Sequence, residues 1–313
     1  MQLGVLFVIS CLVHQIRSQD ADVCHLYGDP HLIPFSQVSQ SNQNQYWCKL
    51  SGEQQIVRNN FVEIKVNMRE GVWSIDKYTL TFFDNDRVLC KVTDHEQVCD
   101  NQAVRITRPS LTHIEIFYSI PKLYISIIPY EYLYKWYDIS ILMPNEFVHQ
   151  SSGLCAAPLV DKCIVENEIL PENNIHPMYK TMCEVYQNAS EQAKLSLDLP
   201  VDHSMRDHTL LACIHDIHNT NNADFGASMV NTLVKDGIFR QYSNDSMYQF
   251  QVVESAVIID RVIRTASITA NAIFSATSMT TTDSTSQPTP NGSLSVRLVP
   301  WALNVCLVLL LIK

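Results

Sequence analysis

The chain has 313 residues and a formal net charge of −10, from 22 Lys and Arg against 32 Asp and Glu, with no dense basic patch. That balance excludes nucleic acid as a partner, because phosphate binding depends on clustered Lys and Arg. With 46% hydrophobic residues and ten cysteines, the chain has the material for a full core and for disulfide bridges.

Residues 1–18 read as a secretory signal. An apolar run from Leu3 to Val13 precedes His14, Arg17 and the small Ser18, so cleavage is expected near Ser18 or Gln19. The run is shorter than a membrane-spanning helix requires.

Next comes Cys24-His-Leu-Tyr-Gly-Asp-Pro-His31. Asp29–Pro30 is chemically the weakest kind of peptide link. The Asp29 carboxylate can attack its own carbonyl, giving a cyclic anhydride that water opens, and proline's tertiary amide nitrogen leaves readily once protonated. Gly28 admits backbone conformations closed to other residues. His31, with an unperturbed pKa of ~6.5, is placed to donate the proton in a mildly acidic secretory compartment. The bland alternative is a simple Asp-Pro turn. Cleavage here happens once per molecule and is maturation, not turnover.

Residues 61–143 alternate with period two. In Phe61-Val-Glu-Ile-Lys-Val-Asn-Met68 the residues Val62, Ile64, Val66 and Met68 oppose Glu63, Lys65 and Asn67. Tyr78–Phe83, Val88–Val92, Val104–Thr107, Thr112–Tyr118, Leu123–Ile128 and Trp136–Leu142 follow the same rule. Asp84-Asn85-Asp86 is a turn, and Pro109, Pro121 and Pro129 are expected at strand ends. The prediction is an antiparallel sandwich or barrel.

After Gly153 the pattern changes. Met178–Ala189, Thr209–His218 and Asp224–Lys235 read as helices, the last stopped by Gly237, and Val252–Ala266 as a further helix or strand. Ser275–Gln287, mostly Ser and Thr, reads as an extended stalk. The greasy tail Leu298–Ile312 falls short of a ~30 Å hydrocarbon core. With Asn291-Gly-Ser293 before it, it fits a glycolipid (GPI) attachment signal, Asn291 being the attachment residue; attachment nearer Ser284 and a short transmembrane helix are the alternatives.

Eight cysteines lie between signal and tail, without paired Cys-x-x-Cys spacing, so disulfides are expected and a zinc site is not. A stub cut at Asp29 carries only Cys24, which must then bond beyond Pro30 for the stub to persist. Of the 105 possible connectivities, the expected one is Cys24–Cys155 and Cys48–Cys163, closing the β-domain top to bottom, with Cys90–Cys99 as a local hairpin staple and Cys183–Cys213 joining two helices; Cys24–Cys48 is the alternative. A bridge closing a loop of more than a hundred residues is worth ~4–5 kcal/mol in the chain-entropy account. Asn188-Ala-Ser and Asn244-Asp-Ser are glycan acceptors. His203, His208, His215 and His218 are read as surface polar residues; no metal or cofactor is expected. Tyr124, Tyr130, Tyr132, Tyr134, Trp136 and Tyr137 form an aromatic patch, mostly core, with an interface as the minority reading.

Taken in order, these parts resemble the repulsive guidance molecule (RGM) family, which includes hemojuvelin. Cys24-His-Leu-Tyr-Gly-Asp-Pro-His-Leu32 with Phe35 is similar to that family's partial von Willebrand factor type D segment and its self-cleaving Gly-Asp-Pro-His signature. Asp138-Ile-Ser-Ile-Leu-Met-Pro-Asn-Glu146 resembles the end of that segment, and Leu211-Ala-Cys-Ile-His-Asp216 with Asn222-Ala-Asp-Phe225 resembles a later motif. The resemblance implies a signal peptide (1–18), a partial type D β-domain (19–163), an RGM-like helical region (164–274), a stalk (275–291) and a removed GPI propeptide (292–313). Only a handful of residues separate the expected signal cleavage from Cys24, where the family carries a three-helix module that contacts bone morphogenetic protein (BMP) ligands, so the resemblance implies a BMP-like ligand or its receptors as partners without establishing direct contact through that module. The implied role is a GPI-anchored cell-surface co-receptor that modulates BMP/TGF-β-type signalling by binding a neogenin/DCC-type receptor, and not an enzyme in the turnover sense. The alternatives are a matrix or gel-type D-domain protein and a hydrolase around His208 or His215, for which no nucleophile context is found.

Overall fold

The computed structural model describes residues 21–36, 45–71, 74–99, 102–110, 113–131, 135–158, 161–165, 176–200, 204–242 and 248–282. The signal peptide, Tyr132, Tyr134, His203, Asn244, Asn291 and the apolar tail lie outside them.

The alternating segments are strands: β1 (Ala21–Tyr27), β2 (His31–Ile33), β3 (Tyr46–Cys48), β4 (Gly52–Arg58), β5 (Val62–Met68), β6 (Ile75–Asp84), β7 (Arg87–Thr93), β8 (Gln97–Cys99), β9 (Val104–Ser110), β10 (His113–Tyr118), β11 (Leu123–Glu131), β12 (Lys135–Pro144) and β13 (Cys163–Val165). All pair antiparallel in one curled sheet. One arm runs β13-β3-β2-β1-β12-β11-β10-β9; the other, β4 to β8, joins it where Tyr137 of β12 meets Ile75 of β6. β5 shows why: its burial alternates residue by residue, the face with Val62, Ile64, Val66 and Met68 being buried. Asn85 and Asp86 take positive φ between the paired Asp84 and Arg87, the two-residue turn that matches strand twist.

Two prolines depart from expectation. Pro121 lies in a turn, but Pro109 and Pro129 sit inside β9 and β11. β9 is the last strand of its arm, where a missing N–H is tolerated, and Pro129 pairs with Tyr137 of β12 but, among the described residues, with none of β10.

The arms close on a core that includes Cys24, Leu26, Ile64, Leu80, Ile116, Ile125, Ile139 and Ile141. Tyr78 meets Tyr137 edge-on at 4.9 Å, and Phe82 meets Tyr118 at 5.7 Å. The helices are α1 (Asn145–Val148), α2 (Pro177–Ser196), α3 (Ser204–Thr220), α4 (Phe225–Tyr242) and α5 (Tyr248–Thr282). They cover the other face of β1 and β12, where Val23, Tyr27, Trp136 and Leu142 share a second core with Cys183, Tyr186, Ile217, Phe225 and Val234. Strands and helices thus belong to one compact unit that runs to Thr277, and the boundary drawn at 163/164 does not separate two cores.

Two helix limits are corrected. Gly237 does not stop α4, because burial of Ile238 and Phe239 beyond it outweighs glycine's ~1 kcal/mol helix cost. The Ser/Thr-rich segment is helical through Thr282; Ser275 and Thr277 return their hydroxyls to carbonyls four residues back, which satisfies them within a helix. Among the described residues no helix is long and apolar enough to cross a membrane.

Polar groups line the seam between sheet and α4. Lys235 Nζ donates to Glu115 Oε1 at 2.5 Å, both side chains being buried, and Ser126 donates to the same carboxylate at 3.0 Å. His25 lies 2.8 Å from Ser140 and 3.4 Å from Asp236, which Arg240 also binds. Burial works to raise the Asp236 carboxyl, but the hydrogen bond from His25 and the Arg240 charge outweigh it and hold the group at about 2. Breaking a buried pair strands a charge. Lys235→Met is therefore expected to cost about 3 kcal/mol in urea unfolding, while Lys235→Met with Glu115→Leu recovers most of it.

Candidate functional site

The site grows from one hairpin. Tyr27 of β1 pairs with His31 of β2, which leaves Gly28, Asp29 and Pro30 as the connecting turn. Gly28 adopts φ +62°, and a Cβ there would lie 2.3 Å from Asp216 Oδ2 of α3, so both the conformation and the close approach require glycine. Its N–H donates to Asp138 Oδ1 of β12 at 3.0 Å. The second Asp138 oxygen accepts from Tyr130 at 2.8 Å and from Ser228 at 2.5 Å. Burial raises the Asp138 carboxyl to about 6, with these hydrogen bonds opposing the rise. On the far side Cys48 N–H donates to the Pro30 carbonyl at 3.1 Å. The turn is pinned from both sides.

The Asp29–Pro30 bond is enclosed. Asp29 is 2% exposed, Pro30 is buried and His31 is 0% exposed. Asp29 Oδ1 has no hydrogen-bond partner among the described residues. Burial, then repulsion from Asp216, pushes its carboxyl from the ordinary 3.8 to about 8, with His31 and Lys49 pulling the other way. Asp216 goes the opposite way. Burial works to raise it, but the imidazoles of His31 and His215 more than reverse that, and its carboxyl stays below the usual range. His31 Nε2 lies 2.6 Å from Asp216 Oδ1, a short charge-assisted contact. Two carboxylates therefore share one dry space: Asp216 carries the charge and Asp29 keeps its proton.

With bulk water excluded, a nucleophile must come from the chain itself. The Asp29 side chain can close a five-membered ring on its own main-chain carbonyl, and an imidazole follows in the next residue. The arrangement can perform intramolecular acyl transfer.

His215 corrects the sequence reading. It is buried, edge-on to Trp47 at 4.4 Å and to His31 at 5.9 Å, whereas His218, one turn on, is exposed. Ligand atoms of His31, His215 and Asp216 lie within 4.8 Å of one another, a spacing that can hold a cation, though a metal would have to break the His31–Asp216 contact. The side chain of His208 lies outside the described residues. Sequence reasoning placed Asp216 between two histidines without connecting it to the turn, and it missed Asp138; the signal available was a carboxylate three residues after Cys213, on the stretch of the helix from Ala212 to Ile217 that is buried throughout.

Four bridges are formed: Cys24–Cys155, Cys48–Cys163, Cys90–Cys99 and Cys183–Cys213. The first ties the short side of the hairpin to the segment after β12, the second joins β3 to β13, and the last joins α2 to α3. Asn188 is exposed on α2. The aromatic patch is mostly interior: Trp136 stacks between Tyr130 at 5.0 Å and Phe225 at 4.7 Å, while Tyr137 turns into the opposite core. No family model matches this chain, and no curated protein matches it either.

Two outcomes follow from the electrostatics and the close approach. Between about pH 4 and pH 8 the unfolded chain ionises Asp29 while the folded chain keeps it protonated, so this residue's contribution to stability falls as pH rises through that window. Asp29→Asn is expected to raise the Tm by a few degrees at pH 7.5 and by little at pH 4, measured calorimetrically. Gly28→Ala should destabilise by about 2 kcal/mol in urea titration, from steric overlap and positive φ together.

Proposed function

We propose that the chain is a self-cleaving surface protein of RGM type, cut once at Asp29–Pro30 and acting, GPI-anchored, as a co-receptor that modulates BMP/TGF-β-type signalling through a neogenin/DCC-type receptor. The observation that carries the maturation step is the enclosed, protonated and unpartnered Asp29 at an Asp–Pro bond, beside the His31–Asp216 pair. In the proposed step an Asp29 side-chain oxygen bonds to the Asp29 main-chain carbon and the bond to the Pro30 nitrogen breaks. The carboxyl proton ends on that nitrogen, relayed by His31. Water then opens the anhydride to two carboxyl groups, completing a single turnover.

What supports a stable two-piece product is the position of β1. It lies between β2 and β12, paired with β12 from Ala21 to Leu26, and is also held by Cys24–Cys155. The stub therefore stays as an inner strand and is released only by denaturation with reduction. The receptor, the BMP-type pathway and the lipid anchor rest on the resemblance of the Gly28–His31 and Ala212–Asp216 motifs and on their order along the chain.

The test is expression of the full chain in secretory cells. A single band without reductant that loses an amino-terminal peptide of about ten residues under reduction is the expected result, with Pro30 as the new terminus. Cys24→Ser should free the peptide in denaturant alone, and Asp29→Ala should leave the chain whole. Release from the cell surface by a phosphoinositide-specific phospholipase and retention by a neogenin-type ectodomain are the expected surface results. Disulfide-linked multimers without receptor binding would favour a gel-type D-domain protein instead.

A further inference from the structure

Resting on the self-cleavage reading above, we infer that Asp216 of α3 is the positioning residue of that reaction: it holds the His31 imidazole, through a 2.6 Å contact across 185 residues of sequence, in the orientation and charge state that deliver a proton to the Pro30 nitrogen.

The geometry is specific to one carboxylate. Its Oδ1 meets His31 Nε2, and its Oδ2 lies against the Gly28 α-carbon, where a Cβ would stand 2.3 Å away. One side chain thus contacts residues on both sides of Asp29–Pro30. Asp216 is itself fixed: it is 1% exposed, sits in a helix bonded to α2 by Cys183–Cys213, and has His215 at 3.8 Å. An imidazole beside a buried anion is favoured in its charged form, and its ring plane is set by the short contact. The same charge repels the Asp29 carboxylate form, so Asp29 enters the reaction carrying the proton that the leaving nitrogen needs. No external acid enters the balance. The Oδ–C bond forms as the C–N bond breaks, and one proton moves from carboxyl through imidazole to nitrogen.

The groups facing His31 are Asp216 and His215 from α3 and Asp29 from its own turn; Lys49 after β3 and Asp138 of β12 act on the same carboxylates from further off. Of these, only Asp216 is both a carboxylate held in its charged form and in direct contact with the imidazole. A pH dependence of cleavage is therefore traceable to this pair.

The experiment follows cleavage of the full chain in pulse-labelled cells and of uncut precursor trapped at neutral pH and then shifted across pH 4.5–8. Asp216→Asn is expected to slow the cut about 100-fold and to move the alkaline limb of its rate profile to lower pH, while Asp216→Glu restores part of the rate. A second readout does not depend on the cut: in the uncleaved Asp29→Asn chain, the His31 imidazole resonances should titrate at lower pH once Asp216→Asn is added. Secretion and four intact disulfides check that each variant folds; if Asp216→Asn does not fold, Asp216→Glu carries the same comparison of rate and profile. A wild-type chain that is cut while Asp216→Asn keeps pace with an unchanged profile overturns the inference and leaves self-cleavage standing. A wild-type chain that stays whole in every compartment overturns both.

Discussion

Two carboxylates that cannot both ionise in one enclosed space set the character of this molecule. Asp216 is held in its charged form by His31 and His215, while burial and the nearby Asp216 charge push the Asp29 carboxyl up, its Oδ1 having no hydrogen-bond partner among the described residues. That asymmetry is not a property of either residue alone. It needs the β1–β2 hairpin, the buried face of α3 and the absence of a side chain at Gly28, where the two elements come closest. A fold that holds an unpartnered protonated carboxyl against a labile bond gives up stability at neutral pH to do so. Strain and unmet polar groups of this kind collect at sites of chemistry.

The surrounding architecture compensates. β1 and β12 are buried on both faces, one toward the sheet's own core and the other toward the helices. On the helix side, polar residues of the sheet (His25, Asp138, Glu115) find partners on α4 (Asp236, Ser228, Lys235), and Ser140 bonds to His25. Such a seam is less forgiving than an apolar one, because each group left without its partner costs more than an ordinary contact returns. It also specifies how the helices register on the sheet. The bridge from α2 to α3 and the close packing of Gly226 on the Tyr186 ring lock the helices to one another, so α3 reaches the hairpin in one position only.

In this arrangement a cut in the turn after the first strand would leave the fold intact. The break would fall in a turn whose two strands are each held by other neighbours, β1 by β12 and β2 by β3. Cys24–Cys155 adds a covalent tie on the short side, and Cys48–Cys163 ties the strand whose Cys48 N–H donates to the Pro30 carbonyl. Cleavage then relieves a local conflict without dismantling the sheet.

Local pattern was enough for much of the fold. Alternation marked β5 to β7 and β9 to β12, but not β8, because a strand buried on one face must repeat with period two, and Asn85-Asp86 marked its turn because few residues accept positive φ. The weak bond at Asp29–Pro30 was legible from its chemistry alone. What local pattern could not supply was anything that depends on burial from a distant element. Pro129 is paired on its β12 side only, among the described residues; Gly237 is carried through by buried neighbours; Trp136 and Tyr137 part to opposite cores because β12 is covered on both sides. The pairing of His31 with Asp216 is the clearest case. The sequence determined that a scissile link, a glycine and an imidazole stand together; only tertiary packing decided which carboxylate would be charged beside them, because that choice depends on solvent exclusion and on contacts made across the whole chain.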